Sequence, residues 1–272
     1  MKYILFALLM LCLFSWNTIQ DDRTKYFPKS VEPVVQIPRK ENVWVFLLAG
    51  QSNMAGRGFV EPQDTMPNKR ILAIDANGKL IYAKEPLHFY EPTHTGLDCG
   101  LSFANSLLKQ IPVNITILLL PTAIGGSASK QWLGDSLYRG VNLLTNFREK
   151  VAIGKKYGQI KAVLWHQGES DANKESIPLY KGRLVELFTK FRTIIQNDQL
   201  PVFIGELGSY SKNNENWQMI NNVIHGYSLQ DANSSVITTN DLIHGGDTIH
   251  FNSTGQRLLG ERFASAYLKK IK

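Results

Sequence analysis

Cysteine is nearly absent: the 272 residues hold only Cys12 and Cys99. A disulfide-held scaffold is therefore excluded, and Cys99 has no intramolecular partner if the segment carrying Cys12 is removed. Asp98-Cys99-Gly100-Leu101 lacks the surroundings of a cysteine-protease nucleophile, so Cys99 reads as a structural thiol. Long apolar runs are missing too. Residues 3–14, after Lys2, are too short to span a bilayer but have the length of a signal-peptide core. Basic clusters are scarce: 30 Lys and Arg against 23 Asp and Glu give +7, yet they are spread along the chain, with Lys269-Lys270-Ile271-Lys272 the nearest approach to a patch. This distribution fits a mildly cationic surface and no nucleic-acid partner. With 43% hydrophobic and 19% charged residues, disorder is excluded, and 21 Gly and 11 Pro exclude a collagen-like chain. There is no internal repeat, no Gly-x-Ser-x-Gly elbow, and no HExxH or CxxC pattern.

What is present divides into three stretches. Residues 1–20 are expected to be an export signal, with an uncleaved anchor as the alternative. Leu11 is too bulky for a lipobox before Cys12. Removing the signal takes Lys2 and leaves +6. The mature protein is expected to be periplasmic or secreted, without stable membrane insertion. Residues 21–41 mix charge and proline as a lead-in, and 42–272 form one domain. Short apolar runs at 43–49, 115–120, 161–166, 202–207 and 235–238 have the length and composition of buried strands. Helix-like stretches separate them at 101–110, 137–157, 177–197, 214–229 and 252–271. The third of these spaces Leu184, Leu187, Phe188, Phe191 and Ile195 three or four residues apart. Non-alternating strands between amphipathic helices predict an α/β fold, a parallel sheet of about five strands covered on both faces. Residues 55–100 are rich in turn formers and read as an irregular edge.

Ligands of such sheets bind beyond the carboxyl ends of the strands. Four glycine-bearing polar segments lie at those positions: Gly50-Gln51-Ser52-Asn53-Met54-Ala55-Gly56-Arg57-Gly58, Gly125-Gly126-Ser127, Trp165-His166-Gln167-Gly168-Glu169-Ser170-Asp171, and Asp247-Thr248-Ile249-His250-Phe251. A serine nucleophile needs a base, a carboxylate to orient that base, and donors for the oxyanion. Ser52 sits at a strand-to-helix turn, Asp247-x-x-His250 supplies carboxylate and imidazole on one turn, and Gly126 and Gln167 supply donors beside the Ser52 N–H.

These four blocks, with Gly100-Leu101-Ser102-Phe103-Ala104, resemble the SGNH hydrolase superfamily and, within it, the carbohydrate esterase family 6 group, which is acetylxylan esterase-like or sialate O-acetylesterase-like. The resemblance spans residues 43–267. It implies a three-layer α/β/α, flavodoxin-like sandwich with Ser52 as nucleophile, His250 as base and Asp247 as its partner. Ser52, Gly126 and Gln167 would form the oxyanion hole. Gln167 stands where the wider superfamily has Asn. The implied reaction removes acetyl esters from oligo- or polysaccharide such as acetylxylan through an acyl-enzyme, with no cofactor or metal. A sialic acid-specific O-acetylesterase is the alternative.

Other readings compete at single residues. A serine at a strand–helix junction also serves as an N-cap. Glu169 reads as an accessory that bonds loop backbone, contacts substrate or rivals Asp247 as partner of His250. Asp247 is favoured because it shares a short segment with His250, and Arg57 reads as an accessory that orders its loop. His166 is read as a satisfied structural histidine, Asp171 as a turn cap, and Trp132 and Trp165 as packing. His244, Asp247 and His250, spaced by three, have the ligand types of a metal site. A non-catalytic carbohydrate-binding protein is a further rival, against which stands the intact Ser52, Asp247 and His250 set.

Overall fold

A computed structural model describes residues 22–272, so the proposed signal lies outside the described residues. The elements, in order, are β1 (Val43–Gly50), α1 (Ser52–Ala55), β2 (Ile71–Ile74), β3 (Leu80–Tyr82), α2 (Gly100–Leu108), β4 (Thr116–Pro121), α3 (Ser129–Leu133), β5 (Leu137–Tyr138), β6 (Val141–Asn142), α4 (Leu143–Tyr157), β7 (Gln159–His166), α5 (Ile177–Ile195), β8 (Val202–Gly205), α6 (Asn214–Ser228), β9 (Ser234–Ile237) and α7 (Ser253–Ile271). The main sheet runs β3-β2-β4-β1-β7-β8-β9 and is parallel except for β3, which returns antiparallel along β2.

Side chains on a strand alternate between faces, and β1 divides the core accordingly. Val43, Val45, Leu47 and Ala49 face a layer built from α3 to α6, including Trp132, Phe147, Phe188, Phe191 and Ile220. Phe46 and Leu48 face α2 and α7, where Phe103, Leu107, Leu259 and Phe263 meet them. Apolar residues therefore occupy both faces of the central strands, which is why those strands read as continuous rather than alternating runs. Among the described residues no helix is long and apolar enough to cross a membrane.

Two expectations are corrected. The sheet has seven strands, not about five, because β2 and β3 lie inside the stretch read as irregular. They span only four and three residues, too few to show a period, and are joined by a turn in which the Asp75 carboxylate accepts the N–H groups of Asn77 and Lys79. Lead-in residues extend this edge: Pro33 bridges Ile81, and Val34 N–H donates to Leu80 O at 3.1 Å. The helix expected from residue 137 begins at Leu143 instead. Residues 137–142 form the β5–β6 hairpin, whose central Arg139 and Gly140 have φ of 48° and 78°, the signs a tight two-residue hairpin turn needs.

At the carboxyl end of β1, Gly50 (φ 135°) lies against β7 so closely that a Cβ there would stand 2.0 Å from His166 O. Gly50→Ala should therefore lower the unfolding free energy by about 3 kcal/mol through backbone strain and overpacking, read from the urea midpoint. A midpoint equal to wild type would contradict this close approach.

Candidate active site

The four glycine-bearing segments meet at one end of the sheet. Gln51 N–H donates to His166 O at 2.9 Å, and Ile124 N–H donates to Gly50 O at 3.1 Å. The Gly50-Gln51-Ser52 segment is thus fastened between β7 and the loop after β4. Gln51, not Ser52, is the N-cap of α1. The Ser52 hydroxyl is directed instead at His250 Nε2, 2.8 Å away, and His250 Nδ1 lies 2.6 Å from Asp247 Oδ2.

The local fold of residues 244–251 explains how carboxylate and imidazole meet. Asp247 Oδ1 accepts the N–H groups of Ile249 (2.9 Å) and His250 (2.8 Å), closing the turn over Thr248, whose φ is 62°. Partial burial opposes the Asp247 charge, but those N–H donors and the His250 ring outweigh it and hold the carboxyl below its usual range. Glu169 does not reach His250: its Oε1 accepts from Asn53 Nδ2 at 2.7 Å. His244 turns its Nδ1 toward the N–H groups of Gly246 (2.9 Å) and Thr248 (3.2 Å), so its lone pair is engaged within the loop. Among the described residues no group of three His, Cys, Asp or Glu side chains is arranged to hold a metal ion.

Two backbone donors remain available for an oxyanion. The Ser52 N–H lies in the first turn of α1, where no intrahelical acceptor exists. Gly126 (φ 77°) occupies a turn closed by Ser127 N–H on Ile124 O at 3.3 Å, and its own N–H has no acceptor among the described residues. Gln167 departs from the expected role. It is fully buried, and its Nε2 lies 2.6 Å from Asp171 Oδ2, 3.2 Å from Ser127 O and 3.3 Å from Gln51 Oε1. The reason is Asp171, which is no turn cap. Its buried carboxylate also takes Ser129 N–H (2.7 Å), Ser129 Oγ (2.8 Å) and Arg183 (2.9 Å), and it draws the Gln167 amide inward as a further donor.

The remaining assignments are structural. Burial keeps the His166 ring neutral despite Glu169 nearby; Nε2 donates to Glu206 O at 2.8 Å, but Nδ1 is buried without a partner, so the ring is only half satisfied. Burial pushes the Cys99 thiol up, away from reactivity. Trp132 and Trp165 are wholly buried, with ring centroids 5.4 Å apart.

Residues 42–269 match the family of carbohydrate esterases described as sialic acid-specific acetylesterase. The chain belongs to this family. The esterase is 30% identical over 266 residues to an Arabidopsis thaliana protein named "Probable carbohydrate esterase At4g34215", covering 90% of this chain and 97% of that one. The crystal structure of the Arabidopsis protein superposes with a TM-score of 0.75 at 28% identity, over 85% of this chain and all of that one. NanS (TM-score 0.69, 20% identity, 87% of this chain and 99% of that one) and a carbohydrate acetylesterase from Xanthomonas citri (0.63, 17%, 83% and 55%) share the fold. Family membership makes this protein a carbohydrate O-acetylesterase.

Glu91, which no sequence pattern marks, also belongs to the esterase's site. Its carboxylate accepts the Gly125 N–H at 2.6 Å and pairs with Arg57 (3.1 Å) and Arg139. It therefore joins the nucleophile block, the Gly125-Gly126 turn and the β5–β6 hairpin. Arg57 orders its loop, also donating to Gly56 O at 2.8 Å. Nothing local marks Glu91, because its partners lie 34 and 48 positions away. Burial opposes the Glu91 charge, yet Arg57 and the Gly125 N–H hold its carboxyl below the usual value.

Because the folded carboxyl is depressed, its stabilisation is complete above the unfolded value, about 4.3, and is lost as pH falls through the folded one. Glu91→Gln should accordingly be less stable than wild type at pH 7, with the gap narrowing below pH 4 in urea titrations; a pH-independent gap would show that charge is not the cause. Gln167→Ala, which leaves the buried Asp171 short of a donor, should cost about 1–3 kcal/mol of stability. A lower kcat at unchanged stability would instead return Gln167 to the oxyanion hole.

Proposed function

We propose that this esterase removes O-acetyl groups from saccharides by a two-step serine mechanism. The observation that carries the reading is the unbroken chain from Ser52 Oγ through His250 to Asp247, at 2.8 and 2.6 Å. Neutral His250 accepts the Ser52 proton as Oγ attacks the acetyl carbonyl, and Asp247 steadies the imidazolium. The N–H groups of Ser52 and Gly126 receive the oxyanion. Collapse expels the sugar alcohol, protonated by His250. Water, activated by the same imidazole, then attacks the acetyl-enzyme and releases acetate. Export belongs to this reading through the apolar residues 3–14.

Acetylated xylan is the substrate implied by the sequence resemblance. One feature favours the second reading, a carboxylate-bearing sugar such as O-acetyl sialic acid. Glu91 is shared by the Arg57 and Arg139 guanidinium groups, neither of which pairs with a second carboxylate among the described residues, and the half-exposed Arg139 stands at the hairpin tip beside Gly126. A Cβ on Gly126 would lie 3.6 Å from Arg139 Nη2 and 2.9 Å from the Tyr138 hydroxyl. Arg at a position that favours Asn, Asp or Gly is a local strain of the kind retained where a side chain is used.

Acetate release should be measured from acetylated xylooligomers, acetylated glucose, O-acetyl sialic acid and an aryl acetate. Ser52→Ala should abolish every activity, EDTA should leave them intact, and Asp247→Asn should lower kcat about a hundredfold or more. Because Asp247 is held ionised below the usual carboxylate range, its protonation should add no limb to wild-type kcat/KM near neutral pH. Activity surviving Ser52→Ala, or lost to EDTA and restored by zinc, would overturn the serine mechanism.

A further inference from the structure

Asn53 follows the nucleophile and is fully buried. Its Nδ2 donates to Glu169 Oε1 at 2.7 Å and to Ile249 O at 3.1 Å, and its Oδ1 accepts the Phe251 N–H at 3.0 Å. Ile249 and Phe251 are the two neighbours of His250. The backbone carbonyl of Asn53 accepts from Gln256 Nε2 of α7 at 2.9 Å. One side chain adjoining Ser52 thus grips the base loop on both sides of His250, across about 200 positions of chain.

The amide orientation follows from the chemistry of its partners. Turned the other way, Nδ2 would face the Phe251 N–H, and Oδ1 would face two acceptors. Glu169 can only accept when ionised, so it fixes which end of the amide faces which neighbour. The same bond gives Glu169 Oε1 its donor, while Oε2 is buried without a hydrogen-bond partner.

We infer that Asn53 is a positioning residue that sets the Ser52–His250 separation, with Glu169 orienting its amide. The inference rests on the serine mechanism proposed above. It differs from a general packing role because the three side-chain bonds end on the base loop and on Glu169. The charged or titratable groups around the pair are His166, whose Nδ1 is 3.7 Å from Glu169 Oε1; Tyr180 and Tyr210, which burial holds protonated; and the His250–Asp247 pair.

The test uses kcat and KM for an aryl acetate on the full chain, with thermal melts and Ser52→Ala alongside. Asn53→Ala should lower kcat about a hundredfold with little change in KM, the effect of a displaced base. Asn53→Asp keeps the shape but sets two carboxylates against each other, so they share one proton. Its activity should therefore fall as that proton is lost, adding an alkaline limb absent from wild type. In the double variant Asn53→Asp/Glu169→Gln, the new glutamine amide can donate to the introduced carboxylate. The alkaline limb should disappear, while kcat should stay below wild type because the introduced carboxylate cannot donate to Ile249 O. The inference is overturned if the double variant keeps the alkaline limb of the single one, or if Asn53→Ala lowers the melting temperature while the folded enzyme keeps wild-type kcat. Activity remaining in Ser52→Ala would instead defeat the serine mechanism itself, so the two failures are distinguishable.

Discussion

The missing side chain at Gly50 allows β1 and β7 to close on each other at their carboxyl ends, and the site hangs from that contact. The carbonyl of His166 takes the Gln51 N–H, so the chain turns out of β1 directly into α1 with Ser52 in its first turn. The Gly50 carbonyl in turn takes the Ile124 N–H and the Ser127 hydroxyl, drawing the Gly125-Gly126 turn to the same point. Three loops from three parallel strands are registered against one another by two backbone hydrogen bonds and the Ser127 hydroxyl. Extra volume at Gly50 would displace all three together.

Around this backbone frame the polar groups are organised by buried carboxylates. Glu91 gathers Gly125, Arg57 and Arg139; Asp171 gathers Ser129, Gln167 and Arg183; Glu169 takes Asn53. Donors from distant elements surround Glu91 and Asp171, which makes their burial tolerable, whereas Glu169 has the Asn53 amide on Oε1 and a buried Oε2 without a hydrogen-bond partner. Each carboxylate therefore ties parts of the fold that the sheet does not join. Asp247 differs because it is half-exposed and is satisfied within its own turn. The Asp247–His250 pair is built locally and meets Ser52 as a unit.

The strands that cross the middle of the sheet were legible because they are long and apolar on both faces; 43–49 and 161–166 read directly as β1 and β7. The edge strands β2 and β3 were not, since four- and three-residue segments carry no period, and their pairing is fixed by a turn and by lead-in residues at Pro33 and Val34. Residues 137–142 looked helical by composition, but the Arg139-Gly140 turn diverts them into a hairpin beside Gly126. Ser52, Asp247 and His250 could be picked out from their segments because hydroxyl, carboxylate and imidazole each sit in a distinctive block, and the fold brings the three within hydrogen-bonding distance. Glu91 could not, and the direction of the Gln167 amide could not, because both depend on partners brought by other elements.

The sequence by itself determined the inventory: a parallel α/β chain, the glycines that let backbones approach, the nucleophile block, and a carboxylate and imidazole three residues apart. These follow from local periodicity and from chemistry contained within single segments. Only the tertiary structure decided which carboxylate serves His250, that Asp171 rather than an oxyanion holds the Gln167 amide, and that Glu91 binds three elements near Gly126. Hydrogen-bond partners of a buried group are chosen by three-dimensional proximity and by the cost of leaving it unpaired, and neither is written in the order of residues along the chain.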